Sequence, residues 1–411
     1  MNTGIKVRLG VMMFLEFFVW GAWFVTMGSH LTGALHFTDP QNALAYATQS
    51  WGAIIAPFII GLIADKYVNA ERLLGVIHLV GAALMYVLAS ATQFDAFYPY
   101  LLGYMILYMP TLALVNAIAF RHVPNPAGSF GYIRAGGTLG WIVAGVAISY
   151  FGWDAPAGIP AGPLKNTFLM ASAASLLLGF YSFTLPGTPP QRGAGAGGLR
   201  EALGLDALVL LRDRNYLVFF IASILICIPL AFYYQHANQF LTELRLENAT
   251  GKQALGQVSE LLFMLLIPLF LTRFGMKLTL LIGMMAWAVR YVLFAYGNTG
   301  ELVSMLMVGI LLHGVCYDFF FVSGQVFTDS KAGARYKSAA QGLITLATYG
   351  VGMLIGFWVA GQLTAAFAVG AGHDWHSIWL YPAAFAAVVA VLFALLFRNE
   401  VLASRDQKVM S

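Results

Sequence analysis

The chain has 411 residues, of which 60% are hydrophobic and only 10% are charged, and its formal net charge is +4 at pH 7. This composition, with a mean hydropathy of +0.76, excludes an ordinary soluble domain and favours a protein that crosses a membrane many times. The basic residues are spread over many short loops, so we interpret the charge as a signal of topology and expect no nucleic-acid partner.

Twelve apolar segments follow one another along the chain, each long enough to cross a bilayer as a helix of about 20 residues. We number them span 1 to span 12, near residues 8–33, 42–64, 72–92, 97–120, 132–152, 166–186, 215–241, 255–274, 278–297, 302–327, 339–366 and 376–397. If both termini are cytoplasmic, most lysines and arginines fall on the cytoplasmic side, as the positive-inside rule requires. The pattern therefore predicts an all-α protein that crosses the membrane many times and has both termini in the cytoplasm.

A polar stretch rich in proline and glycine lies between spans 6 and 7 and indicates a linker between two halves. The halves show signs of internal repetition. Spans 2 and 8 each place a proline nine residues before a cytoplasmic lysine, and spans 5 and 11 are both rich in glycine, which lets helices approach closely in lipid. We predict two pseudo-symmetric six-helix bundles, residues 1–186 and 214–411, joined by a cytoplasmic linker, residues 187–213.

Charged side chains inside the spans are candidates for function, because a charge at the bilayer centre costs roughly 2.5–3.5 kcal/mol even on insertion scales and usually faces a cavity or a partner. These residues are Glu16, Arg134, Glu260, Arg290 and Asp318. For Glu16 the alternatives are a second proton site and a structural partner. For Arg290, in span 9, we expect either a structural hydrogen bond or a side chain that extends to the membrane interface.

Span 5 carries Arg134, Thr138 and Trp141 at positions i, i+4 and i+7, which share one helix face. An arginine and a hydroxyl can hydrogen-bond to a polar solute, and an indole can stack on a flat face of it. The alternative is that Arg134 pairs with an acid to hold the two halves together and that Trp141 only packs.

Span 8 begins with Gln257 and Glu260, whose amide and carboxylate can hydrogen-bond to hydroxyl or N–H groups of a solute. The alternative is that Glu260 lies in a wet outer mouth. Span 7 adds Tyr234 and Asn238 at i and i+4. Tyr234 either stacks or donates through its hydroxyl, or else serves only in packing.

Span 10 carries His313 and Tyr317 on one face, with Asp318 turned about 100° from Tyr317. Asp318 is flanked by Tyr317 and by three phenylalanines, and is our first candidate for the group that carries a proton. Glu260 is the second candidate. The alternative for Asp318 is a permanent ion pair with Arg134.

Several segments carry a family resemblance. GLIADKY (61–67) resembles the loop signature of the major facilitator superfamily, although the basic residues that usually follow it are absent. The stronger matches are EFFVWGAWF (16–24), YMPTLALVNAIAF (108–120), IRAGGTLGWI (133–142), GQVSELLFMLLIPLF (256–270), RYVLFAYG (290–297), HGVCYDFF (313–320) and AAQGLITL (339–346). These resemble the bacterial nucleoside:proton symporters of that superfamily, and in particular the branch whose nucleoside transport is inferred mainly from sequence.

The resemblance implies a major facilitator fold in the bacterial cytoplasmic (inner) membrane and nucleoside uptake coupled to protons. It also implies that the polar and aromatic groups of spans 5 and 8 hydrogen-bond to the ribose or the base and stack on the base. The positions that match the family's implicated substrate residues are Arg134, Thr138, Trp141, Gln257, Glu260, Tyr317 and Asp318. Trp141 stands where a phenylalanine can occur, and relatives can carry amides where this chain has Ala231 and Tyr234, so the role of span 7 departs from the family pattern.

No enzyme motif stands beside these features. The chain has no nucleotide-binding P-loop, and its histidines lack metal-ligand spacing. We therefore expect a transporter without catalytic residues, cofactor or metal, acting as a monomer in lipid on a nucleoside such as uridine or adenosine and on a proton. One alternative is a proton-coupled carrier of another neutral hydroxylated solute such as a sugar, and another is a membrane sensor. Preference for purines or pyrimidines stays open.

Overall fold

A computed structural model describes residues 3–59, 67–122, 126–154, 162–190 and 204–399. In chain order the helical segments are Thr3–Gly21, Met27–Ser29, His30–Ala34, Asp39–Ile59, Ala70–Leu88, Phe94–His122, Pro126–Tyr150, Gly162–Leu164, Lys165–Ser182, Leu205–Arg212, Arg214–Glu243, Ala249–Gln253, Leu255–Tyr296, Val303–Tyr317, Asp318–Val322, Ser323–Thr345, Leu346–Gly352, Met353–Ala366 and Trp375–Leu396. Over their described residues all predicted spans are mainly helical, although span 1 is interrupted by turns at residues 22–26 and spans 3, 5 and 6 extend a few residues past the ends of their helices. The motif at 61–67 lies outside the described residues except for Tyr67.

Two glycines separate spans that follow each other without a long loop. Leu255–Tyr296 contains both span 8 and span 9, and its helical backbone is interrupted at Gly275, where φ is 74° and ψ is 174°. Ser323–Thr345 is interrupted in the same way at Gly333, between span 10 and span 11. These positive φ values favour glycine, because a Cβ would be strained there.

The outside of the helical bundle is apolar. Side chains such as Leu177, Leu265, Val391 and Leu395 are more than half exposed. By length and composition, seven helical segments of the described chain can cross a membrane, and one of them, Ala249–Tyr296, holds two predicted spans. An apolar surface of this kind is stable against lipid tails and not against water.

Span 5 packs against helices of both halves through its glycines. A Cβ added at Gly140 would overlap the backbone carbonyl of Phe14 in span 1. A Cβ at Gly145 would lie 3.3 Å from the Cβ of Ala254, immediately before span 8. Span 5 is therefore in close contact with span 1 of its own half and with the start of span 8 of the other half.

Span 11 repeats this arrangement in the second half. A Cβ at Gly356 would lie 2.9 Å from the Cα of Ile228 in span 7, and one at Gly361 would overlap Ala43 in span 2. The contacts of span 5 with spans 1 and 8 thus correspond to the contacts of span 11 with spans 7 and 2. This is expected if the halves are related by a pseudo-two-fold axis.

The short segments between spans have defined partners. Of the predicted linker 187–213, residues 191–203 lie outside the described residues, and Leu205–Arg212 forms a 3₁₀ helix. Its Ala207 packs against Ala332, Ala340 and Leu343 at the junction of spans 10 and 11. Between spans 11 and 12, strands β1 (Ala368–Val369) and β2 (Gly372–His373) form a small antiparallel hairpin.

Candidate functional site

A cavity lies between the two halves, with about 580 Å³ of empty space including the part open to solvent. Spans 1, 2 and 5 of the first half and spans 7, 8, 10 and 11 of the second half contribute to its wall. The lining residues are Phe17, Trp20, Gln49, Arg134, Thr138, Trp141, Tyr234, Gln257, Glu260, His313, Tyr317 and Tyr349. Aromatic walls with a few convergent polar groups are typical of a small-molecule site.

The structure brings seven of the predicted site residues together in this wall. They are Arg134, Thr138, Trp141, Tyr234, Gln257, Glu260 and Tyr317. Helical spacing places the three residues of span 5 on one face, and it does the same for the two residues of span 8. Packing of the two halves brings these two faces together. Asn238 and Asp318 are not among the lining residues.

Aromatic rings position the polar side chains of the first half. The guanidinium carbon of Arg134 lies 4.5 Å from the centre of the Phe17 ring, a cation–π contact. Trp141 meets Trp20 edge to face, with ring centres 5.5 Å apart. Among the described residues Arg134 forms no ion pair with an acid within 4 Å, so the structure does not show the predicted alternative of a lock between Arg134 and Asp318.

The second half contributes a linked series of polar groups. The hydroxyls of Tyr317 and Tyr349 are 3.0 Å apart. His313 Nε2 lies 3.8 Å from Glu260 Oε2, and His313 Nδ1 lies 3.2 Å from an Nη of Arg290. Arg290 therefore has a hydrogen-bond partner, as predicted, and this partner is itself a cavity residue.

Asp318 lies behind the cavity wall. It is fully buried, and neither carboxylate oxygen has a hydrogen-bond partner among the described residues. It begins a π-helical turn, Asp318–Val322, and such turns occur often at functional sites. Burying an ionised carboxylate without a partner is costly, so a carboxyl in this position suits binding and release of a proton.

Asn238 joins the two halves just beyond the cavity. Its Oδ1 accepts a 2.7 Å hydrogen bond from Ser29 of span 1, and its Nδ2 donates to Thr250 and Gln253. Because the protein itself uses both ends of this amide, the structure places the side chain in a contact between helices rather than in the cavity wall.

Further contacts close the same end of the molecule. The carboxylate of Asp154, after span 5, accepts hydrogen bonds from Ser149 and from the backbone N–H of Thr250, in the short helix Ala249–Gln253 that precedes span 8. The backbone N–H of Gly251 donates to Ser149. These contacts join the two halves at the end of the molecule that is predicted to be the outer one.

His373 adds a charged contact at that end. Its ring lies 3.2 Å from Asp39 of span 2 and 3.0 Å from Glu243 at the end of span 7, and Trp375 Nε1 also donates to Glu243. Burial alone would lower the pKa of His373, but its hydrogen bonds to Asp39 and Glu243 outweigh burial and raise it to about 9. At neutral pH, His373 is therefore a cation between two carboxylates, one from each half.

Glu16 lies in a polar cluster inside the first half. Its carboxylate is 2.9 Å from His78 Nε2 and accepts a bond from Thr111, while His78 Nδ1 lies 2.9 Å from Ser175. Glu16 and His78 are both buried. Spans 1, 3, 4 and 6 are held together by these bonds, which suits the structural alternative for Glu16.

Comparison with known proteins bears on what this arrangement does. A family model described as "Nucleoside H+ symporter" matches residues 1–401. The chain belongs to this family. Among relatives of the symporter, YegT of Escherichia coli K12 is 42% identical over 95% of this chain and 93% of that protein. The xanthosine permease of the same organism is 34% identical over 96% of both chains.

A solved structure supports the same conclusion. The crystal structure of the nucleoside transporter NupG superposes on the symporter with a TM-score of 0.86 at 29% identity, covering 97% of this chain and 100% of that one. The predicted fold of two six-helix bundles is thereby confirmed, as are the family and the location in a bacterial membrane. The family is one of transporters.

Five cavity residues of the symporter were not among the predicted site residues: Phe17, Trp20, Gln49, His313 and Tyr349. Gln49 carried a signal, because it lies in a polar run, Thr48–Ser50, within an apolar span. Both ends of its amide are buried without a partner in the described chain. Tyr349 belongs to a second π-helical turn, Leu346–Gly352, and its direction depends on that turn.

Proposed function

We propose that this symporter carries nucleosides together with protons into the cell across the cytoplasmic membrane, by alternating access of its two halves. The cavity between the halves is the observation that carries the proposal, since side chains of both meet there around one space. Residues 1–186 and 214–411 are the moving bundles, residues 187–213 link them, and both termini are cytoplasmic. The closed outer end corresponds to the stage in which the site is accessible from the cytoplasm.

The cavity wall supplies the groups that a nucleoside requires. Trp141 and Tyr317 stand on opposite halves and present aromatic faces to a base. Gln257 and Thr138 add an amide and a hydroxyl, each of which both donates and accepts hydrogen bonds. Arg134 adds a fork of donors. Tyr234 completes the aromatic wall, and Asn238 acts through the contact between the halves.

Asp318 and Glu260 are the proposed proton carriers. Glu260 lies in the cavity wall, and Asp318 lies one residue beyond Tyr317, buried and without a partner among the described side chains. Protonation of either acid removes a charge from the membrane interior, which lowers the cost of moving the occupied bundle through its closed state.

Uptake into liposomes tests this function. Protein reconstituted with an inward proton gradient should accumulate labelled uridine above its outside concentration, and should not do so without the gradient. Unlabelled adenosine should compete, whereas ribose and glucose should not. Equal accumulation of uridine with and without the gradient would refute proton coupling. Competition by glucose as strong as that by adenosine would favour the sugar alternative. A panel of purine and pyrimidine nucleosides in the same assay shows which of the two classes the protein prefers.

A further inference from the structure

Arg290 is fully buried in span 9, and its surroundings restrict what it can do. Its guanidinium carbon lies 3.5 Å from the centre of the Tyr233 ring and 5.5 Å from that of Phe294. One Nη lies 3.2 Å from Nδ1 of His313, while Nε and the other Nη have no hydrogen-bond partner among the described residues. The aromatic rings therefore hold the guanidinium flat and direct one N–H at the imidazole.

This contact determines which nitrogen of His313 carries the proton. A guanidinium has five N–H donors, no acceptor, and keeps its charge in proteins. Nδ1 of His313 must then be the acceptor, so the proton of the neutral ring is on Nε2. The ring is held in this plane by Tyr233, which stacks on it at 5.4 Å, and by Tyr317 at 5.8 Å.

The Nε2–H of His313 points toward Glu260. The distance from Nε2 to Oε2 is 3.8 Å, which is longer than a direct N–H···O hydrogen bond. Both side chains line the cavity. A hydroxyl oxygen placed about 2.8 Å from each atom would accept from the imidazole and donate to the carboxylate. A donor and an acceptor at this separation thus form a site for one hydroxyl group.

We propose that Arg290 fixes His313 as its Nε2–H form, so that His313 and Glu260 together bind one ribose hydroxyl of the substrate. The inference rests on the proposed nucleoside transport and identifies which part of the substrate meets span 10. His313 is a binding residue. Arg290, which does not reach the cavity wall, is a positioning residue.

Binding of deoxynucleosides tests the hydroxyl. Uridine, 2′-deoxyuridine, 3′-deoxyuridine and 5′-deoxyuridine are titrated into the purified full-length protein by calorimetry. One analogue should bind about tenfold or more weakly than uridine, because His313 and Glu260 are left without the hydroxyl that bonds to both. His313→Phe should weaken uridine by a similar factor but leave that analogue unchanged. His376→Gln, at a histidine outside the cavity wall, should match wild type.

The outcomes separate the two proposals. Equal affinity of all four ligands for wild type would overturn the hydroxyl site while leaving nucleoside transport standing. Equal weakening of uridine and of the analogue by His313→Phe would also overturn it, since His313 would then act on the cavity as a whole. Failure of uridine itself to bind would instead count against the proposed function.

The ¹⁵N spectrum of histidine-labelled protein in liposomes tests Arg290. His313 is identified as the signal that is lost in His313→Gln. It should show a protonated Nε2 and an unprotonated Nδ1 in wild type and in Arg290→Lys, which keeps a donor. Arg290→Met should give a mixture of both forms and should reduce the discrimination against the deoxy analogue. A protonated Nδ1 in wild type would overturn the inference whether or not the variants fold.

Discussion

At the scale of single residues, aromatic rings hold the polar groups of the cavity in place. Arg134 lies over Phe17, forms no ion pair with an acid in the described chain and lines the cavity. Arg134→Ala should abolish uridine uptake while leaving folded protein in the membrane. Arg134→Lys should restore little, since lysine lacks the planar fork. Uptake by the alanine variant above half of wild type, at equal protein in the membrane, would contradict this.

Stacking can be separated from simple packing at Trp141 and Tyr317. If both rings stack on the base, phenylalanine at either position should keep more uridine affinity than alanine, where a loss of about 1–3 kcal/mol is expected for a stacked base. Tyr317→Phe also removes the hydroxyl contact to Tyr349, so Tyr349→Phe is its matched control. Equal affinities of the phenylalanine, alanine and wild-type proteins would leave these rings with a packing role alone.

The proton can be assigned with a neutral substitute. Asp318→Asn replaces a buried carboxyl by an amide of nearly the same shape, so it imitates the protonated acid. The variant should lose accumulation driven by a proton gradient, yet still exchange labelled for unlabelled uridine across liposomes. Glu260→Gln in parallel shows whether the second acid is needed. Liposomes with Asp318→Asn that still concentrate uridine under the gradient would exclude Asp318 as the carrier.

At the scale of helices, the contact between spans 1 and 5 depends on Gly140. A Cβ at this position overlaps the backbone of Phe14, which no side-chain movement relieves. Gly140→Ala should therefore lower the stability of the protein in detergent by about 1–3 kcal/mol. Gly103→Ala is the matched control, since its Cβ would meet no atom within 4 Å, and alanine in a helix should be neutral or stabilising. Similar melting temperatures for both variants would contradict this contact.

At the scale of the whole molecule, His373 contacts Asp39 and Glu243 and so joins the two halves at the end that we propose is the closed outer one. Its pKa is raised from 6.5 to about 9, so its stabilisation of the closed form is complete below pH 6.5 and is lost as the pH rises through 9. Spin labels on the outer ends of spans 2 and 7 should move apart between pH 7 and pH 10. In His373→Gln the separation should not change over that range. Wild-type distances independent of pH would show that this contact does not hold the end closed.

Twelve helices and the polar faces of spans 5 and 8 follow from the sequence alone. In lipid every backbone group must bond within its own segment, so an apolar run of about 20 residues forms a helix whatever its neighbours. Within such a helix the spacing of Arg134, Thr138 and Trp141 places them on one face. The family resemblance added the pairing of that face with Gln257, Glu260 and Tyr317.

Only the tertiary structure decided which other spans complete the cavity and that two predicted residues, Asn238 and Asp318, lie outside its wall. Gln49 and Tyr349 enter the wall because spans 2 and 11 cross between the halves, and a π-helical turn changes the direction of the side chains in span 11. Asn238 is directed to Ser29, more than two hundred positions away in the chain. The period of a helix determines which residues share a face. The residues that this face contacts depend on how the helices pack in the folded protein.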